Sequence, residues 1–285
     1  MKVAEVMSSP VVVMRPTEPV AHAKNLMLRH GIKRLVVMEH GSPIGIVSMR
    51  DLAKHLSGGT SAWRRRPIDR IPIARVMSTK LITASPGTDV DKAANMLLQH
   101  GISSLIITED KQLVGILTKT DLARSFAEKL GGRAKVRELM NKNVVTVGRQ
   151  NSLAHVVELM EKNKITRVVV VDGAKPVGIV AASDVAFAQL ETPGEGVKMR
   201  KIKFTRKPER ADRPRYRYVK YVALLTAEDV MNPELLTIEA DEDATRAARL
   251  MLEHGISGLP VVEGGELVGI ITKTDLAKGV ARFGD

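Results

Sequence analysis

Two tetrapeptides gather the groups best suited to chemistry: Thr118-Lys119-Thr120-Asp121 and Thr272-Lys273-Thr274-Asp275. Each follows an apolar run and precedes Leu-Ala, where a strand would hand over to a helix. Hydroxyls, a cation and a carboxylate there meet the exposed amides and positive dipole end of the helix, an arrangement that favours an anion such as phosphate. The carboxylate, an acceptor only, suits the two hydroxyls of a ribose. Helix N-capping alone would also select an aspartate at this place, and one residue can serve both purposes.

Bond-breaking chemistry finds no comparable constellation. The chain has no cysteine, which excludes disulfides, thiolate metal sites and cysteine nucleophiles. His30, His100 and His254 fall in the last turn of predicted helices, where an imidazolium meets the negative dipole end. No Ser/His/Asp set, paired carboxylates or metal-ligand spacing recurs. The reading is a binding and regulatory protein that is not an enzyme, with no metal and no required cofactor.

The tetrapeptides belong to an internal repeat, which must be read before the fold. With Val6-Met7, Val76-Met77, Leu139-Met140 and Val230-Met231 as origins, a His or Asn falls 23 residues after each Met: His30, His100, Asn163 and His254. A glycine falls 38 residues after (Gly45, Gly115, Gly178, Gly269) and an aspartate 44 after (Asp51, Asp121, Asp184, Asp275). Four copies keep this register without a gap.

Each copy reads as strand, helix, two strands, helix. The first helix shows its apolar face directly: Val90, Ala93, Ala94 and Leu97 recur at helical spacing, as do Leu153, Val156, Val157, Met160 and Ala244, Ala247, Ala248, Met251. Gly31, Gly101 and Gly255 end it as left-handed caps. Buried strands such as Leu35-Val36-Val37 and Val168–Val171 follow, then a turn and a second apolar strand. A unit of about 55 residues is marginal alone, so the α/β repeats should pack in pairs, first with second and third with fourth. The organisation expected is repeat 1 over 1–58, a basic linker over 59–73, repeat 2 over 74–131, repeat 3 over 132–190, a basic aromatic insertion over 191–225 and repeat 4 over 226–285.

Composition agrees with an ordinary folded protein: 285 residues, 44% hydrophobic and 27% charged. The longest apolar runs fall far short of the roughly 18 residues a membrane span needs. Met1-Lys2-Val3-Ala4-Glu5 carries charge at once and lacks a signal-type apolar region, so the expected location is the cytoplasm.

The signature Gly-Ile-Val-Ser-x-x-Asp and the segment His-Gly-Ile-Lys-Arg-Leu-Val-Val resemble the repeats of the cystathionine-β-synthase (CBS) domain, arranged as two tandem Bateman modules. Four-repeat chains of this kind include the gamma subunit of AMP-activated protein kinase and archaeal ribosome-associated proteins. The resemblance implies binding of adenosine ligands (AMP, ADP or ATP, sometimes S-adenosylmethionine) in clefts between paired repeats, with the nucleotide as a regulatory ligand.

Carried over residue by residue, it implies that Asp121 and Asp275 hold ribose, with Thr118 and Thr272 near phosphate and Lys119, Thr120, Lys273 and Thr274 beside them. Ser48 and Asp51 keep the pattern in repeat 1, whereas repeat 3 has Ala181 before Ser183 and Asp184. The family's basic phosphate contacts match Lys33-Arg34 in repeat 1 and Thr166-Arg167 in repeat 3; repeats 2 and 4 have Ser103-Ser104 and Ser257-Gly258. Each module thus has one arginine-bearing copy and one Thr-Lys-Thr-Asp copy, a complement suited to gripping phosphate. Thr83, Thr146 and Thr237 would lie near the purine; repeat 1 has Val13 there.

The net charge of +12 is concentrated. Val197–Tyr221 carries 11 Lys and Arg against two acids, a net +9, leaving +3 for the other 260 residues. It also holds four of the chain's eight aromatics, so its rings are not core rings. Lys201-Ile202-Lys203-Phe204 and Arg215-Tyr216-Arg217-Tyr218 alternate as strands would, with Arg206, Lys207, Arg210 and Arg213 around a turn at Pro208–Pro214, and Lys220 and Tyr221 following. A basic β-hairpin is expected. Trp63-Arg64-Arg65-Arg66 forms a second basic cluster. A solvated hairpin packing its rings on its own module is one reading; RNA binding, with cations on phosphates and rings on unpaired bases, is favoured over it. The function expected is an adenylate-responsive regulator that docks on structured RNA, most of all the ribosome, in the manner of a translation-inactivating hibernation factor. The alternatives are a kinase-gamma-like subunit acting through a protein partner and a DNA-binding regulator. Closure of the two modules could be within one chain or in a homodimer.

Overall fold

Alternating apolar patterns at period two and period 3.6 within each repeat require a strand, a crossover helix and a hairpin. The computed structural model has this order in every copy; it describes residues 1–52, 69–182, 184–185, 199–203, 219–223 and 225–284, the two short stretches 199–203 and 219–223 by backbone alone. They form two compact units, one of Met1–Val144, Ala174–Pro176 and Leu235–Asp285, the other of Val145–Gly173 and Val177–Glu234.

In repeat 1, β1 (Val13–Met14) leads to α1 (Val20–Arg29), then β2 (Arg34–Glu39) and β3 (Ser42–Ser48). Repeat 2 has β4 (Thr83–Ala84), α2 (Val90–Gln99), β5 (Ser104–Glu109), β6 (Gln112–Thr118) and the closing helix α3 (Lys119–Lys129). The short helix α4 (Val136–Leu139), which opens repeat 3, lies within the first unit. Repeat 3 continues with β7 (Thr146–Gly148), α5 (Leu153–Lys162), β8 (Arg167–Asp172) and β9 (Lys175–Ala181). A two-stranded insertion, β10 (Met199–Lys203) and β11 (Val219–Ala223), precedes α6 (Ala227–Val230). Repeat 4 ends the chain with β12 (Ile238–Glu239), α7 (Ala244–Glu253), β13 (Gly258–Glu263), β14 (Glu266–Thr272) and α8 (Lys273–Phe283).

Each repeat's sheet has three strands in chain order. The first pair is parallel, as a helical crossover requires, and in repeats 1, 2 and 4 the second is an antiparallel hairpin: Val13 pairs Val36, and Leu35 pairs Val47. A register shift falls at the same place in repeats 1, 2 and 4, after Val37, Ile107 and Val261. The crossover helices stop where the sequence predicts. His30, His100 and His254 are C-cap residues whose backbone N–H groups donate to Leu26, Met96 and Leu250, and the following glycines have φ of +62°, +62° and +63°. Repeat 3 has Lys164 in that conformation instead.

The opening segments are exchanged. Val3–Glu5 leaves repeat 1 and lies on repeat 2, where Val3 N donates to Thr88 O at 2.9 Å and Ser8 pairs both ways with Ile116. Residues Ile73–Arg75, which open repeat 2, lie on repeat 1: Ile73 N donates to Glu18 O at 2.8 Å and Ser78 pairs with Ile46. Likewise α4 lies on repeat 4, through Val136 N to Glu242 O and the Asn141–Ile270 pair. In the second unit α6 lies on repeat 3, through Ala227 N to Asn151 O and Asn232 N to Ile179 O. Repeats 1 and 2, both within the first unit, therefore each carry the opening segment of the other.

One core crosses that pairing. Phe126, Leu97, Leu122, Met251, Leu276 and Val280 bury together, so that α2 and α3 of repeat 2 pack on α7 and α8 of repeat 4. Gly279 permits the closest approach, since a Cβ there would fall 2.5 Å from Phe126 Cε2.

The insertion is an antiparallel pair, as expected, with Lys201 opposite Tyr221 and Ile202 opposite Lys220. Its second described strand is Val219–Ala223. Phe204, Arg206, Lys207, Arg210, Arg213, Arg215, Tyr216, Arg217 and Tyr218 lie outside the described residues, as do Trp63, Arg64, Arg65 and Arg66. Among the described residues no helix is long and apolar enough to cross a membrane.

Candidate functional site

The strand-to-helix turns of repeats 2 and 4 have the same construction. Thr118, with extended backbone, is the N-cap of α3; its Oγ1 accepts from the N–H groups of Thr120 (3.2 Å) and Asp121 (3.4 Å). Asp121 returns the favour through Oδ2, which accepts from Thr118 N at 2.8 Å and Thr118 Oγ1 at 2.6 Å. This is a capping box. The expectation that the aspartate itself caps the helix is corrected: the threonine caps, because its short hydroxyl reaches the first-turn amides, and the aspartate is the third helical residue. Thr272 and Asp275 repeat the geometry on α8, at 3.0 and 2.7 Å, with Thr274 N donating to Thr272 Oγ1. Ser48 and Asp51 do so at 2.8 and 2.6 Å. In repeat 3, Ala181 N still donates to Asp184 Oδ2 at 2.8 Å, but Ala181 has no hydroxyl to offer.

The second carboxylate oxygen faces outward from the box. Asp121 Oδ1 accepts from Ser8 Oγ at 3.0 Å and from Arg124 at 3.2 Å, and Asp275 Oδ1 from Lys278 at 2.8 Å. Both aspartates are buried, 3% and 4% exposed, while Arg124 and Lys278 are more than half exposed. Ser8 arrives on the exchanged opening segment, 113 residues away in sequence; its only sequence signal is its place directly after the origin Met7.

Cations converge on these turns in the first unit. Arg34, the first residue of β2, donates to Ser103 Oγ at 2.9 Å. Burial pushes its guanidinium pKa down; the charges of Asp121 and Asp51 oppose that, and Arg50 adds to it. Lys33, next to it in sequence, donates from its ammonium to Gly255 O at 3.4 Å. Two lysines reach across between turns: Lys119 Nζ donates to Thr274 Oγ1 at 3.1 Å, and Lys273 Nζ to Thr120 Oγ1 at 3.2 Å. Burial pushes the Lys119 pKa down, opposed by Asp275 and reinforced by Arg34, Arg50 and Lys278. Arg50 and Ser8 are site neighbours that sequence reading missed. Arg167 opens β8, and it and Asp184 lie in the second unit. Thr83 and Thr146 stand at the first positions of β4 and β7, and Thr237 directly precedes β12. Among the described residues no three His, Asp or Glu side chains are grouped to hold a metal ion.

Four α/β repeats whose opening segments lie on another repeat, with an aspartate-bearing turn at the end of each hairpin, define a tandem-repeat protein. The model of the CBS domain matches residues 3–58, 73–128, 136–191 and 227–282, and the chain belongs to the CBS-domain family. It is 29% identical over 98% of its length to the uncharacterized protein MJ1404 of Methanocaldococcus jannaschii, of whose length it spans 62%. Protein MJ1225 of the same organism, whose crystal structure is described as that of a candidate archaeal homolog of g-AMPK, shares the fold: the TM-score is 0.77 at 20% identity, over 98% of this chain and 99% of that one. A relative from Thermofilum pendens, 25% identical over 97% of this chain and 92% of its own, is described as an uncharacterized 33.4 kDa protein in ribosomal RNA operon.

Proposed function

We propose that this chain is a non-catalytic regulator that binds adenine nucleotides, AMP, ADP or ATP, at its capped turns. The observation that carries the reading is the pairing of a buried acceptor, Asp121, with a half-buried cation, Arg34. Asp121 sits in its capping box with Oδ1 accepting from Ser8 and an exposed arginine, while its charge acts on Arg34. Ribose hydroxyls can take the place of those two donors, and a phosphate can meet Arg34 and the first amides of α3. Repeat 3, without the hydroxyl at Ala181, is the weakest site. Titration of the purified chain with AMP, ADP and ATP tests this. Asp121→Ala and Asp275→Ala should each weaken binding by at least tenfold; unchanged affinity in both would leave the aspartates as partners of the capping threonines alone.

The second half of the reading is docking on structured RNA, with the ribosome as target, through the basic insertion. Its support is the segregation of charge into Val197–Tyr221, the antiparallel pairing of β10 with β11, and a relative described by its place in a ribosomal RNA operon. Co-sedimentation with ribosomal subunits should occur, weaken as salt is raised, and disappear on deletion of 197–221. Absence of association at physiological ionic strength would remove this half. A stable complex with an acidic protein and no co-purifying nucleic acid would instead favour a kinase-gamma-like role.

A further inference from the structure

The two described strands of the insertion, β10 and β11, pair with each other and join no other sheet among the described residues. Partners in an antiparallel pair share a face, and neighbours along a strand alternate between faces. The alternation Lys201-Ile202-Lys203 by itself suggests one basic side. The register gives a different result: Lys201 and Lys203 stand on one face, Arg200 and Lys220 on the other. Each cation is opposite an uncharged residue, Tyr221 and Val219 on the first face, Val222 and Ile202 on the second. No two cations therefore confront each other across the ribbon, a pairing that would destabilise it. None of the paired residues is acidic.

Packing either face on an apolar body would bury two cations there, and a buried charge without a partner is costly. A two-stranded ribbon without an apolar face is marginal by itself in water; a partner that brings negative charge to both sides offsets that. A ribbon in a duplex major groove turns one face to the base edges and the other to water, so cations on a single face would suffice. A single strand tracked along a groove likewise meets one face. We propose that the β10–β11 ribbon is a wedge that enters a cleft between two phosphate backbones of folded RNA. Lys201 and Lys203 meet one wall of the cleft, Arg200 and Lys220 the other. This rests on the reading that the insertion docks on structured RNA, and it names the feature recognised: two facing phosphate walls, with no base read.

The test uses the full chain and three probes: small-subunit ribosomal RNA transcribed in vitro, a polyuridine oligonucleotide and a DNA duplex. Lys201→Gln with Lys203→Gln clears one face, and Arg200→Gln with Lys220→Gln clears the other. Each double variant should weaken binding to the ribosomal RNA by about tenfold or more. Each should also lower the slope of log affinity against log salt by about 1–2, the size of two lost phosphate contacts. All four changes together should lose roughly the product of the two. Thermal melts of the variants should match that of the unmodified chain, which should bind polyuridine and duplex DNA about tenfold or more weakly than the ribosomal RNA. Loss from one pair only, or a lower melting temperature in either variant, would place a face against the chain's own body. That would overturn the wedge and leave RNA docking standing. Polyuridine or duplex DNA bound as tightly as the ribosomal RNA would overturn the cleft in folded RNA. Failure of the unmodified chain to bind the ribosomal RNA would overturn both readings.

Discussion

Met7 occupies the space that a side chain at Gly115 would need: a Cβ built there would fall 2.4 Å from the Met7 Sδ. The same relation joins Met77 to Gly45, Met140 to Gly269 and Met231 to Gly178, at 2.4–2.5 Å. The two repeat landmarks, a methionine and a glycine 38 residues on, are thus partners across a segment exchange, never within one repeat. Each methionine locks the opening segment of its own repeat onto the hairpin of another.

Gly115→Ala should therefore lower stability by about 1–3 kcal/mol through overpacking, read as a lower urea midpoint. Met7→Ala combined with it should cost less than the sum of the two single changes, since the methyl then enters vacated space. Additive effects would show that the Met7–Gly115 contact is not what excludes the side chain.

Phe126 is fully buried where repeat 2 meets repeat 4. Phe126→Ala should cost about 3–5 kcal/mol. Gly279→Val should also destabilise, although valine forms helix better than glycine, because its Cβ would enter the Phe126 ring. A thermal melt in which Gly279→Val is neutral or stabilising would contradict this packing.

The capping boxes give a matched pair of changes. Thr118→Ala removes the N-cap acceptor of α3 and should cost about 1 kcal/mol. Ala181→Thr supplies the missing hydroxyl beside Asp184 and should stabilise by about 0.5–1 kcal/mol. Denaturant midpoints moving in opposite directions would meet the expectation.

Asp89 anchors the exchanged N-terminus. Hydrogen bonds from Lys2 (2.6 Å) and then Lys92 (3.0 Å) hold its pKa at about 2, below the ordinary 3.8. A carboxylate depressed in the folded state stabilises it fully above pH 3.8, and that contribution is lost as pH falls through about 2. Lys2→Ala should move the Asp89 titration up toward 3.8 in an NMR-monitored acid titration, and Lys92→Ala should move it less.

Much of this protein follows from residue order alone, because local geometry decides which way a side chain points. Helical spacing of Val90, Ala93, Ala94 and Leu97 marks the buried face of α2, and glycine after His100 marks its end. Four repeats in register place four strand-to-helix turns, each with its aspartate, and the crowding of charge into 197–221 needs no coordinates. What covers each face is a different matter. Similar apolar faces offer similar burial energy to one another, so sequence spacing could pair adjacent repeats but could not reveal the core shared by repeats 2 and 4. Nor could it bring Ser8 to Asp121 or turn Lys119 toward Thr274, 155 residues away. Those contacts depend on packing between distant segments, and only the tertiary structure decided them.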